Sequence, residues 1–115
     1  MWNPPTVQRL ANIPHLYETG SVPLSEKLIY CHFFLAGSDW YVTEFDGCDT
    51  FFGFVILNGN CIHAEWGYFT LRKLDQLNVR GYEVEFDEYW QVRPASQVKK
   101  IAEAQGWVQS EELLG

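Results

Sequence analysis

The sequence predicts an α+β fold: a mostly antiparallel sheet of about five strands, with a β-meander at its centre and two to three helices packed on one side. Alternation of apolar and polar residues in 82–87 indicates a half-buried strand, and Asn58-Gly59 is a strong hairpin signal. Other stretches space apolar residues as helices do. At 115 residues, the chain is expected to form a single domain, 1–115.

The N-terminal third predicts one helix and one strand. In residues 4–14, PPTVQRLANIP, two prolines open a short helix, its apolar residues share a face, and Pro14 closes it. A loop rich in Gly, Ser and Pro follows. Lys27–Leu35 is then apolar on both faces, which is typical of a central strand.

The middle of the chain predicts the meander. Trp40–Asp46 and Phe51–Leu57 form two strands joined by a turn at Gly47–Asp49. Asn58-Gly59 tolerates the positive φ angles of a type I′ turn, so Cys61–Tyr68 is expected to return as the next strand.

A helix and a strand follow the meander. Thr70 is placed to cap a helix that carries Leu71, Leu74 and Leu77 on one side and stops at Asn78. Residues 82–87 then alternate as a half-buried strand. Its predicted inner face holds Tyr82, Val84 and Phe86, and its outer face holds Glu83, Glu85 and Asp87.

The last predicted element is a helix after Pro94. Its apolar face carries Val98, Ile101 and Ala102, and Gly106 is expected to terminate it.

Charge is unevenly distributed along the chain. The net charge is −7; Leu28 to Leu71 contains five acidic residues and no basic one, and Gly81 to Val92 contains four and none. Nucleic-acid binding draws its affinity largely from Lys and Arg that neutralise phosphates. The sequence therefore predicts no direct binding of nucleic acid.

Segments that would direct the chain to a membrane are not predicted. No apolar run approaches the ~18 residues of a bilayer span, and the N-terminus lacks the pattern of a signal peptide. Three cysteines are too few for a disulfide scaffold, which favours a cytoplasmic location.

Two carboxylates of the meander are candidates for a site. Strand periodicity places Glu44 on one face with Trp40, Val42 and Asp46, where a buried carboxylate is costly unless it is paired. Lateral proximity to Glu65 on a nearby strand is expected. Such a pair suits a divalent cation or general acid–base chemistry, but it suits hydrogen bonds within the fold as well.

Other chemistries lack a motif. A zinc set of Cys31, His32, Cys61 and His63 would need neighbouring strands and has no C-x-x-C knuckle. No nucleophile elbow or phosphate-binding loop occurs. We therefore predict no catalytic residue, no metal ligand and no cofactor.

Aromatic residues accompany the acids. Most of them are expected in the core, but an aromatic patch rimmed by carboxylates is typical of a surface that contacts proteins. The candidate binding surface consists of Trp40, Glu44, Asp46, Asp49, Glu65, Glu83, Glu85 and Asp87.

Several motifs together carry a resemblance. They are W-Y-x-T-E-F-D (40–46), D-T-F-F-G (49–53), E-W-G-Y-F-T-L-x-x-L (65–74) and E-F-D-x-x-W (85–90), with H-L-Y-E-T at 15–19. This combination resembles the bacterial domain-of-unknown-function family 2958. One departure is Phe86, where the family often has a basic residue between two acids.

The resemblance implies a small cytoplasmic protein, often carried by plasmids, integrative elements and phages, with no established chemistry. The functional expectation is a non-enzymatic protein whose acidic sheet binds a basic protein partner. Its specific form would be an inhibitor of a host defence nuclease, against CRISPR or restriction systems. The alternative is an enzyme or small-ligand protein that uses Glu44, Glu65, Glu85 and Asp87 to hold a cation or to act as acid and base.

Charge reversal would test the leading expectation. Changing Asp46, Asp49, Glu83 and Glu85 to Lys is expected to remove partner binding and to leave the fold intact, because turn and surface positions usually tolerate substitution.

Overall fold

A computed structural model describes residues 1–107 and contains a five-stranded antiparallel sheet. Its strands are β2 (Cys31–Leu35), β3 (Ser38–Phe45), β4 (Thr50–Ile56), β5 (Glu65–Thr70) and β8 (Glu85–Phe86), and their order across the sheet is β5-β4-β3-β2-β8. Two short ladders flank it: β1 (Leu28–Ile29) with β9 (Arg93–Pro94), and β6 (Asn78–Val79) with β7 (Tyr82–Glu83). The helices are α1 (Val7–Ala11), α2 (Leu71–Gln76) and α3 (Lys99–Gln105), with 3₁₀ turns at Leu24–Glu26 and Ala95–Gln97. The predicted α+β class and central meander are confirmed.

The connections of the meander differ in length. Ala36 and Gly37 have φ angles of 48° and 85° and join β2 to β3 in a two-residue turn. Asn58 and Gly59 also have positive φ, and Asn60 N–H donates to the Leu57 carbonyl, so the predicted turn is confirmed. The return strand begins at Glu65 rather than at the predicted Cys61, because residues 57–64 form a longer loop.

A β-bulge in β3 changes which side chains share a face. Val42 pairs with Gly53 and Glu44 pairs with Phe52, so Thr43 is an extra residue between them. Thr43 is fully buried, and its hydroxyl has no hydrogen-bond partner within residues 1–107. Beyond the bulge, Phe45 joins the face of Val42. The prediction that Glu44 shares a face with Trp40 and Val42 is therefore wrong.

Helices cover both faces of the sheet. On the first face, Val42, Phe33 and Phe51 pack against Leu10 of α1 and Leu74 of α2. The second face buries other apolar side chains, among them Tyr41, Phe54, Val98 and Ile101. Because α3 lies on the second face, the prediction of helices on one side only is wrong. The helix boundaries are close to those predicted: Thr70 caps α2, which ends at Gln76, and Gly106 ends α3 with a φ of 74°.

Residues 78–87 are less regular than a single strand. Arg80 and Gly81, both at positive φ, form a tight hairpin between β6 and β7, and the chain then enters β8. Val84 and Phe86 are buried as predicted, but Tyr82 is 72% exposed. Tyr82 faces solvent because β7 pairs only with β6 and leaves the main sheet. Within the described range, no helix has the length and apolar character needed to span a bilayer.

Candidate functional site

Glu44 is a buried anchor for the N-terminal loop. Its side chain lies on the second face, and the residue is 3% exposed. Its carboxylate accepts hydrogen bonds from the backbone N–H groups of Tyr17 (2.9 Å) and Thr19 (3.0 Å) and from the Thr19 hydroxyl. The buried Lys27 ammonium donates to the Thr19 carbonyl and hydroxyl oxygens. The acidic and basic side chains are thus linked through one threonine.

This arrangement keeps the Glu44 carboxylate charged. Burial acts to raise the pKa of Glu44, but the hydrogen bonds from Thr19 and Tyr17 and the charge of Lys27 outweigh burial and hold the pKa below its ordinary value. A carboxylate in this state is a poor proton donor or acceptor near neutral pH. We therefore assign Glu44 a structural role.

Glu44 and Glu65 lie on opposite faces of the sheet. Glu65 pairs with Val55, which pairs with Trp40 on the first face, whereas Glu44 pairs with Phe52 on the second. The whole of β4 also separates their strands. The predicted proximity of the two carboxylates is therefore wrong. The bulge at Thr43 places the Glu44 side chain on the second face, away from Glu65.

Asp46 and Asp49 organise the turn between β3 and β4. One Asp46 oxygen accepts from the backbone N–H groups of Cys48, Asp49 and Thr50, which hold the pKa of Asp46 below its ordinary value. The Asp49 carboxylate accepts from Arg72 N–H, and its carbonyl accepts from Leu71 N–H. Asp49 thereby ties the turn to the start of α2. Changing Asp46 and Asp49 to Lys would break these hydrogen bonds. These two substitutions are therefore expected to destabilise the fold, contrary to the expectation from the sequence.

Replacing Asp49 with Ala is expected to lower the free energy of unfolding by about 1 kcal/mol, the usual effect of losing a side-chain cap. Urea denaturation would measure the loss. Glu26→Ala is the matched control, since Glu26 is exposed and no described side chain pairs with it. Equal stabilities of the two variants would show that Asp49 does not cap α2.

Asp87 belongs to a network that the sequence did not reveal. His32 Nδ1 lies 3.0 Å from Asp87 Oδ2, and His32 Nε2 lies 2.7 Å from Asp39 Oδ1. The Lys100 ammonium, on α3, donates to Asp39 Oδ2 at 2.9 Å. Asp39 is thus held through both carboxylate oxygens, one by the His32 ring and the other by Lys100.

Aromatic rings enclose this network. The His32 ring stacks on Tyr41 at a centroid distance of 4.6 Å and lies 5.3 Å from Trp90. Trp90 is held in turn, since its indole N–H donates to the Ile29 carbonyl and the Arg93 guanidinium lies 3.8 Å from its ring centroid. Among residues 1–107, no hydroxyl or thiol is hydrogen-bonded to His32. The arrangement has no nucleophile for His32 to activate, and it ties α3 and the segment after β8 to the sheet.

Acidic and aromatic side chains converge at the β8 end of the sheet. Tyr89 is 90% exposed and Trp2 is 69% exposed, and both border the same concavity as Glu85 and Glu88. A second concavity, which also borders Phe34 and Glu85, contains Tyr82, Glu83 and the basic Arg80. We call this area the β8 edge surface; it comprises Trp2, Phe34, Tyr82, Glu83, Glu85, Asp87, Glu88 and Tyr89.

The carboxylates of the β8 edge surface are not equally free. Asp87 faces His32, and Glu83 lies 2.6 Å from the α-amino group of Met1. Glu85 and Glu88 have no cation within salt-bridge distance in the described part of the chain. These two carboxylates are the ones available to a cationic partner.

Asn3 occupies the outer edge of β8. Its side-chain amide donates to the Phe86 carbonyl at 2.8 Å, and its side-chain oxygen accepts from Phe86 N–H at 3.1 Å. These are the two backbone groups with which another strand would pair. A partner at this surface therefore meets side chains rather than a free strand edge.

The predicted residues thus divide into separate groups. Glu83, Glu85 and Asp87 come together at the β8 edge surface, while Glu44, Asp46 and Asp49 serve the fold. Trp40 is buried on the first face near Glu65, beside a groove at the other end of the sheet. Sequence reasoning missed Asp39 and Lys100 and considered His32 only as a zinc ligand, and no local spacing marks the three as a group. Trp2, also missed, is noticeable only as an apolar residue in a polar N-terminal segment.

The residues considered for zinc do not form a site. Cys31 is buried on the first face, and burial raises its pKa to about 12, whereas His32 points to the second face. Cys61 and His63 lie in the exposed 57–64 loop. Across residues 1–107, no group of three or more His, Cys, Asp or Glu side chains is arranged to hold a metal ion.

No protein-family model, curated protein or solved structure matches this chain. The resemblance to family 2958 therefore rests on the motifs quoted above and stays a prediction.

Proposed function

We propose that this chain is a binding protein whose β8 edge surface docks on a basic protein. The observation that carries the proposal is the co-localisation of Glu85 and Glu88, which form no ion pair within residues 1–107, with the highly exposed rings of Trp2, Tyr82 and Tyr89. Exposed aromatic side chains grouped with carboxylates offer both of the contacts that Arg and Lys side chains make, an ion pair and a cation–π contact.

The partner class follows from the same chemistry. Nucleic-acid-handling proteins carry channels lined with Lys and Arg, and a rigid array of carboxylates steers association with such channels. A nuclease of a host defence system is the specific partner that we propose within this class. The net charge of −7 disfavours the nucleic acid itself as the ligand.

The alternative, an enzyme or small-ligand protein built on clustered carboxylates, has less support. It requires Glu44, Glu65, Glu85 and Asp87 to act together. Glu44 is buried in hydrogen bonds to the N-terminal loop, and Glu65 lies on β5, at the opposite edge of the sheet from Glu85. Asp87 is engaged with His32.

A titration with a defined peptide tests the proposed function. An Arg-rich synthetic peptide with interspersed aliphatic residues would be added to the ¹⁵N-labelled protein. We expect chemical-shift changes to concentrate at the β8 edge surface. Affinity should fall as ionic strength rises from low to physiological values, because exposed charges are then screened over about 8 to 10 Å.

Charge-reversal variants locate the surface. The double variant Glu85→Lys/Glu88→Lys should weaken peptide binding by about tenfold or more, since it replaces attraction by repulsion. Glu26→Lys/Glu103→Lys changes the net charge by the same amount elsewhere and should have a much smaller effect. If both double variants lost the same amount of peptide affinity, the interaction would depend on net charge alone and the proposal would be overturned. A shift of bare duplex DNA by the wild-type protein would also contradict it.

A further inference from the structure

At the opposite end of the sheet, the first face bears a groove next to the edge strand β5. Its volume is about 510 Å³, within the range of roughly 300 to 1,000 Å³ that small-molecule sites occupy. We call it the β5 groove; Trp40, Val55, Glu65, Gly67 and Phe69 border it, and residues of the 57–64 loop close one end.

The strand register explains why this groove exists. Trp40, Val55 and Glu65 form one row across β3, β4 and β5, and the next row contains Val42, Gly53 and Gly67. Gly67 is half-buried, and a Cβ added to it would meet no atom within 4 Å. The absence of a side chain at Gly67 therefore leaves a trough beside Glu65. Its φ lies outside the left-handed region, so another residue could adopt the same backbone.

The lining determines which charge the groove favours. Among residues 1–107, Glu65 is the one acidic side chain that lines the groove, and no Lys or Arg borders it. Within residues 1–107 no cation lies within salt-bridge distance of Glu65. The rings of Trp40 and Phe69 supply the aromatic walls. Aromatic walls next to one carboxylate attract organic cations and disfavour anions.

We propose that the β5 groove binds a small organic ammonium compound, with its apolar body between the aromatic walls and its cationic nitrogen at Glu65. The amide groups of Asn58 and Asn60 lie at the loop end of the groove. The Asn60 side-chain oxygen already accepts from Ile62 and His63 N–H groups, which orders that end. This proposal is independent of the β8 edge surface, since β5 and β8 are the two outermost strands of the sheet.

Three small probes that differ in charge test the proposal. Phenethylammonium, 2-phenylethanol and phenylacetate would each be titrated into the ¹⁵N-labelled full chain and followed by chemical shifts. We expect phenethylammonium to perturb the residues of the β5 groove and to bind about fivefold more tightly than the alcohol, from one exposed ion pair and cation–π contacts. Phenylacetate should bind more weakly than both. Equal affinities of the ammonium and the carboxylate, or no groove shifts at millimolar phenethylammonium, would overturn the proposal.

Two variants separate the charge from the shape of the groove. Glu65→Gln should remove the preference for the ammonium over the alcohol while binding of the alcohol persists. Gly67→Leu should fill the trough and abolish binding of both probes, and thermal unfolding would verify that the chain folds. Glu26→Gln, a change at an exposed carboxylate that does not line the groove, is the matched control and should bind phenethylammonium as the wild type does. Unchanged affinity in a folded Gly67→Leu protein would contradict the proposed site.

Discussion

Replacing Asp39 with Ala is expected to lower the free energy of unfolding by about 3 to 5 kcal/mol, the usual effect of removing one member of a buried charge pair. The Asp39 side chain is 4% exposed and accepts from His32 and Lys100 through different oxygens. Its removal would leave the largely buried His32 ring with only Asp87 as a partner. Urea denaturation at neutral pH measures the change.

The matched control for Asp39 is Lys100. Its side chain is 59% exposed, so Lys100→Ala should cost less than about 1 kcal/mol, as exposed ion pairs usually do. An Asp39→Ala protein as stable as Lys100→Ala would show that the buried network contributes little to the fold.

Stability should also depend on pH through Asp39. Burial acts to raise the pKa of Asp39, but the hydrogen bonds and charges of His32 and Lys100 outweigh it and lower the pKa. The stabilisation is therefore complete above the unfolded-state pKa of about 3.9 and is lost as pH falls through the lower folded-state value. Asp39→Asn should make the acid limb of the stability curve shallower.

Replacing Glu44 with Ala is likewise expected to cost about 3 to 5 kcal/mol. The substitution leaves three donors of Tyr17 and Thr19 without their acceptor and leaves the 5% exposed Lys27 without a nearby counter-charge. Tyr17 has a φ of 72°, which is unfavourable for a residue with a side chain, so the bond from its N–H supports a strained backbone. The loop should become sensitive to protease in the variant.

Two comparisons make the Glu44 experiment specific. Glu44→Gln retains an acceptor oxygen but not the charge, so its stability should lie between those of the wild type and Glu44→Ala. Glu65→Ala, a change at an exposed carboxylate on the other face, should alter stability by no more than about 0.5 kcal/mol. Similar losses at Glu44 and Glu65 would contradict the anchoring role.

Local signals in the sequence predicted most of the fold. The strands in 40–46 and 51–57, the Asn58-Gly59 turn and the caps at Thr70 and Gly106 depend on neighbouring residues, and each has a counterpart in the structure. The bulge could not be predicted in the same way. It depends on the close approach of Gly53 to the Tyr41 carbonyl on the adjacent strand, where a Cβ would lie 1.7 Å from that oxygen.

The candidate site was less predictable for a related reason. Periodicity assigns a residue to one face of its own strand, but a single extra residue reverses every assignment after it. Thr43 therefore moved Glu44 away from Glu65. The His32 network joins residues separated by up to 61 positions in sequence, and Trp2 reaches the β8 edge surface from the N-terminal segment. By contrast, Glu83, Glu85 and Asp87 were correctly grouped because they lie within one alternating segment.

The Asn3 side chain has a consequence for how copies of this protein behave in a crowded solution. Exposed strand edges are the places where sheets of different molecules join and aggregate. Because Asn3 occupies the Phe86 backbone groups, a second molecule would have to displace it before extending the sheet at β8. No described strand covers the outer side of β5. An extended fibril needs every molecule to pair through both of its edge strands, β5 and β8. Because Asn3 blocks pairing at β8, molecules that pair through β5 cannot continue the sheet further.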